Sequence, residues 1–66
     1  LNRGELIQFL GIARGSTNEV CTQLELALML SFGKQSEIAS AQSLATEILK
    51  ILNAALTTLR SKPKQD

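Results

Sequence analysis

Phe9-Leu-Gly-Ile-Ala-Arg-Gly-Ser-Thr-Asn-Glu-Val-Cys-Thr-Gln-Leu-Glu-Leu-Ala-Leu28 carries the pattern on which the fold turns. In and around it, Leu6, Leu10, Ala13, Thr17, Val20, Leu24, Ala27 and Ser31 follow one another at alternating steps of four and three. That spacing stacks side chains on one face of an α-helix. Most of these residues are apolar, and the two polar ones are small. Asn2, followed three residues later by Glu5, has the spacing of a capping box, so the helix is expected to start near Arg3. From there it should run to about Ser31. Gly11 and Gly15 are its weak points, each costing about 1 kcal/mol against alanine. A kink at Gly15 is the alternative to a continuous helix, which is favoured because the apolar spacing keeps phase across it. The two glycines lie one turn apart, and a flat patch that admits a neighbouring backbone is favoured over sporadic helix glycine. Arg14, between them, is expected to be solvated.

Downstream, Ser31-Phe32-Gly33-Lys34-Gln35 reads as a turn. Gly33 is expected to take the left-handed conformation that closes a helix, and Ser36 to cap the next helix with Glu37 in its first turn. So short a connection makes the two helices antiparallel neighbours. The second helix should span about residues 36–61. In it, Ile38, Ala41, Ala45, Ile48, Leu52, Ala55 and Leu59 keep the four–three step without exception. Leu44 and Ile51 form a second seam, Leu49 and Leu56 a third. The first helix has a similar surplus in Phe9, Ile12, Leu26, Leu28 and Met29. One facing helix covers a stripe of about 100°, so a hairpin cannot hide all of this surface.

The expected fold is therefore all-α: an antiparallel hairpin over 1–61, forming half of an up-down four-helix bundle completed by self-association, followed by a polar basic tail at 62–66. Helix packing is assigned to Leu6, Leu10, Gly11, Ala13, Gly15, Val20, Leu24 and Ala27 on the first helix. The matching positions on the second are Ile38, Ala41, Ala45, Ile48, Leu52, Ala55 and Leu59. Pro63 ends the second helix, and Arg60, Lys62 and Lys64 complement the negative pole at its C-terminus. Chain length agrees with the need for partners. Sixty-six residues bury only about 60% of their unfolded surface. One cysteine and no histidine exclude an internal disulfide and the usual zinc sets.

The same totals bound the function. Net charge is +1, short of the cationic excess usual in proteins that grip nucleic acid through its phosphates. Only two aromatic residues, Phe9 and Phe32, occur, which suits a helix-on-helix core of Leu, Ile, Ala and Val. No run approaches the ~20 apolar residues of a membrane span. A lone cysteine and no visible export signal fit a reducing cytoplasm. No glycine-rich phosphate loop, Cys-x-x-Cys pair or serine elbow occurs. The acids sit where helix-surface charges ordinarily sit, with Glu47 and Lys50 spaced as a surface pair. Cys21 reads as an inert small hydrophobe. No catalytic residue, cofactor or metal is expected. Gln23 and Asn53 are either surface amides or partners in hydrogen bonds between helices, since a buried amide must find a partner.

Phe9-Leu10, Ile12-Ala13, Gly15-Ser16, Glu19, Thr22-Gln23-Leu24 and Ala27 stand in the order and spacing of the four-helix-bundle proteins encoded in 23S ribosomal RNA intervening sequences. Glu47-Ile48, Lys50-Ile51-Leu52-Asn53 and Leu56 resemble that family's last helix. The resemblance covers nearly all of this chain but only the C-terminal half of the family domain, and so implies two further helices upstream. The chain departs from the pattern at Leu28 and Met29, where members are often charged, and around Gln35 to Gln42, where they are richer in acid. The resemblance implies rings of five, while a chain of this length is expected to form a dimer or tetramer. A related retroelement accessory protein shares the bundle and binds nucleic acid, so the resemblance suggests RNA-associated scaffolding and transfers no catalytic residue. Candidate contacts to structured RNA are Arg3, Arg14, Lys34, Arg60, Lys62 and Lys64. Other expectations are a dimeric hairpin like the short plasmid copy-number regulator that binds paired RNA loops, similar in architecture alone, or a protein-interaction module or gene remnant.

Overall fold

The computed structural model describes residues 1–61; the expected tail contacts Lys62 and Lys64, and the stop at Pro63, lie outside the described residues. Two helices make up the fold: α1 over Arg3–Met29 and α2 over Gln35–Ser61, each of 27 residues. They pack antiparallel as a hairpin 50 Å long and 15 Å across.

The start of α1 is set by the capping box. Asn2 Oδ1 accepts from the Glu5 amide at 2.8 Å, and Glu5 Oε1 accepts from the Asn2 amide at 3.1 Å. Two amides that the helix leaves without carbonyl partners are thereby satisfied, and a carboxylate sits in the first turn near the positive pole. The helix runs unbroken through Gly11 and Gly15.

The end of α1 differs from the expectation. The helix stops at Met29 with Leu30 as its cap, two residues short of Ser31. The Phe32 amide donates to the Ala27 carbonyl at 2.9 Å and the Ser31 amide to the Leu28 carbonyl at 3.2 Å. This pair of bonds is the Schellman closure, and it demands a left-handed residue at the position that Ser31 occupies. Ser31 takes it, with φ 59°, and Gly33 makes a second left-handed bend with φ 77°. Gly33 therefore redirects the chain and does not close the helix. At the other side of the turn α2 begins at Gln35, where the Lys34 carbonyl accepts from the Ile38 amide at 3.0 Å. Ser36, expected as the cap, lies inside the first turn, and its carbonyl accepts from the Ser40 hydroxyl at 3.0 Å. Glu37 lies in that first turn as expected.

The core is thin. Among the described residues only Ile38, Ala45 and Leu56 are buried, all on α2, and Leu56 is the most enclosed at 1% exposure. Their partners on α1 are half-buried: Leu6, Ile7, Leu10, Ala13, Thr17, Cys21, Leu24 and Leu28. Most residues of the two four–three seams are buried or half-buried, and the exceptions lie at their edges. On α2, Leu49 and Leu56 of the third seam face α1, while Ile48 of the first is 40% exposed. On α1, Cys21 is half-buried and Val20 is 45% exposed. The physical reason is that apolar residues wrap well beyond the width that one neighbour covers, so several rotations bury similar area.

Candidate interaction surface

The hairpin has two unlike flanks. On one, Ser16, Thr17, Val20 and Leu24 of α1 face Ala41, Leu44, Ala45 and Ile48 of α2 across an open hollow of about 350 Å³. No ionisable group lines it, and its only side-chain polar atoms are the hydroxyls of Ser16 and Thr17. The Thr17 hydroxyl is already committed to the Ala13 carbonyl at 2.8 Å. Toward the open end the same stripes continue. Phe9 precedes Ser16 by seven residues and Ile51 follows Leu44 by seven, so each shares its neighbour's face two turns away. Phe9 is 55% exposed and Ile51 65%. Leu44 and Ile12 are exposed as well.

The opposite flank is polar. Arg14 Nη1 donates to Asn53 Oδ1 at 3.2 Å, joining the middle of α1 to the last third of α2. The Arg14 side chain is therefore half-buried and bonded across the helices, where the spacing suggested a solvated group. Asn53 does reach the other helix, with Arg14 as its partner. Gln23 is exposed beside Asn18, Glu19 and Thr22 in a shallow polar depression on α1 alone. Arg14 was the missed partner. Nothing local in the sequence pairs residues 39 positions apart, and only the axial alignment of the two helices brings them together.

The remaining sequence candidates are dispersed. Arg3 in the first turn of α1 and Arg60 in the last turn of α2 share the open end of the hairpin. Lys34 stands at the turn, about 40 Å away. Gly11 is half-buried and Gly15 exposed, and a Cβ built on either meets nothing within 4 Å. In the hairpin, then, α2 does not use the patch that they form. Glu47 and Lys50 pair at 3.7 Å on the exposed surface of α2, a contact worth a few tenths of a kcal/mol. Cys21 is a free, half-buried thiol. Among the described residues no three His, Cys, Asp or Glu side chains gather as metal ligands, and no helix is long and apolar enough to cross a membrane.

The family model described as 23S rRNA-intervening sequence protein matches residues 1–54. No curated protein and no solved structure matches the chain.

Proposed function

The chain belongs to the 23S rRNA-intervening sequence protein family, and from that premise we propose that it is a non-enzymatic helical-bundle subunit that self-associates. One observation carries this reading: an apolar flank runs along both helices of a hairpin that, among the described residues, buries only three. Fully burying a Leu, Ile or Phe side chain contributes about 1.5–3 kcal/mol. Phe9, Ile12, Leu44, Ile48 and Ile51 therefore hold a large stabilisation that the hairpin alone leaves unrealised. The composition of the hollow favours a structural role. General acid–base or nucleophilic chemistry needs titratable groups in a pocket, and the lining has none. Light scattering behind a sizing column, at two protein concentrations, tests the proposal. A mass at an integer multiple of 7.1 kDa, greater than one, is the expected result. A helical monomer at both concentrations refutes it.

Contact with structured RNA is the second reading. It draws on the family description and on Arg3 and Arg60 sharing the open end; Lys62 and Lys64, outside the described residues, follow Arg60 in the sequence. Arg14 and Lys34 would act as separate contacts. Binding through phosphates releases counterions, so affinity should fall steeply as salt rises. Titration of a fluorescent hairpin RNA at two salt concentrations checks this, and salt-independent or absent binding rejects it.

A further inference from the structure

We propose that the flank opposite the apolar hollow is a track for the phosphate backbone of paired RNA, gripped by Arg3, Arg14 and Arg60 without regard to base sequence. The inference rests on the RNA contact proposed above. It adds the surface, the form of RNA and the direction of the charge along the hairpin, and it leaves Lys34 out.

Helical spacing and one bond place the three arginines together. Arg3 and Arg14 are eleven residues apart, close to three turns, and so share a side of α1. Asn53 and Arg60 are seven apart, close to two turns, and share a side of α2. The bond from Arg14 Nη1 to Asn53 Oδ1 shows that those two sides meet on one flank. From the level of Arg14 the row runs about 16 Å to the open end, where Arg3 and Arg60 stand beside one another.

The acids are set apart from this row. At about 100° per residue, Glu5, Glu19, Glu37 and Glu47 lie about 120° or more round their helices from the arginine positions and Asn53. Glu25 shares the side of Arg14 but lies eleven residues further on, about 16 Å toward the turn. Among the described residues the flank is therefore cationic toward the open end and acidic toward the turn. Lys50, about 60° round α2 from Asn53, is paired with Glu47 at 3.7 Å and marks the edge.

Arg14 is held in a way that suits a phosphate contact. Its acceptor is a neutral amide, which fixes the planar guanidinium without cancelling its charge. Single strands are bound by stacking bases on aromatic rings. Phe9 lies about 120° or more round α1 from Arg3 and Arg14, and Phe32 is in the turn, so neither ring stands beside the row. A straight line of arginines without rings suits a duplex, which is recognised mostly by shape and by contacts to its backbone. Helices that cover the apolar flank leave this opposite one outward.

The test titrates the chain into fluorescent RNA duplexes of roughly 16 base pairs, in two unrelated sequences, at several salt concentrations. Arg3→Gln, Arg14→Gln and Arg60→Gln should each weaken binding roughly five- to tenfold near 0.1 M salt and lower the salt slope by about 1, alike on both duplexes. Lys34→Gln should change neither. Arg3 and Arg60 lie at helix ends, so their variants should keep the parent's helicity and decide the matter if Arg14→Gln does not. Duplex binding that the arginine variants leave intact, or that Lys34→Gln weakens as much, overturns the flank while RNA contact stands. A marked preference for one duplex, or for a single strand of the same sequence, overturns the backbone track. Equal competition by polyglutamate makes the partner an acidic protein and overturns RNA as the occupant. Absence of RNA binding at the lowest salt overturns this inference and the RNA contact together.

Discussion

Arg14 and Asn53 are 39 residues apart in the chain and joined by a hydrogen bond of 3.2 Å. The bond links the two helices on the flank opposite the apolar hollow. A charged donor strengthens it, whereas Asn53 is exposed and water competes for both partners. The pair therefore acts more as a register mark than as a large source of stability. Arg14→Ala and Asn53→Ala should each cost about 0.5–1.5 kcal/mol. A double-mutant cycle from urea unfolding should give a coupling energy of about 0.5–1 kcal/mol. Additive effects would mean that the bond contributes nothing in solution.

Ser31 should be improved by glycine. A non-glycine residue held at φ 59° carries a conformational penalty of order 1 kcal/mol, because Cβ crowds the adjoining carbonyl. Glycine removes the crowding but loosens the unfolded chain. The net expectation for Ser31→Gly is a stabilisation of about 0.5 kcal/mol, read as a higher urea midpoint with an unchanged slope.

Gly33→Ala should act in the opposite sense. The nearest atom to an added Cβ is Ile38 Cδ1 at 3.8 Å, an ordinary contact, so space is not the constraint. The backbone is, at φ 77°. A loss of about 1 kcal/mol or more is expected. Equal stability to the parent would show that the turn relaxes freely.

Asn2→Ala removes one half of the capping box and releases the Glu5 amide. The expected cost is about 1 kcal/mol. Because the loss is at the first turn, amide hydrogen exchange should accelerate at the start of α1 and leave the middle of α2 unchanged. Uniform acceleration would indicate that the cap controls global unfolding.

Gly15→Ala should raise helicity. Residue 15 is exposed and an added methyl group meets nothing within 4 Å. Alanine is favoured over glycine in an exposed helix interior by about 0.8–1 kcal/mol. Residue 15 lies on a different side of α1 from Phe9 and Val20, so the mass in solution should be unaltered. A drop in assembly size would reveal a close backbone approach at this glycine in the oligomer.

Much of this architecture was legible in the sequence, because its causes are local. The Asn2–Glu5 spacing specifies a helix start through bonds three residues apart. Four–three apolar steps specify a helix on either side of the turn, and the surplus of Phe9, Ile12, Leu44 and Ile51 already signalled surface in search of a neighbour. What the tertiary structure decided was rotation and alignment. Apolar residues encircle each helix too widely for spacing to select one inward stripe, so contact with the partner helix selected Leu56 over Ile48 and left Val20 on the flank. Likewise Arg14 finds Asn53, and Ser31 takes the helix-closing left-handed position while Gly33 makes a second left-handed bend, only once the axial alignment of α1 and α2 has fixed where each helix must end. Local periodicity sets what a segment becomes. Which side of it meets its neighbour depends on atoms dozens of residues away.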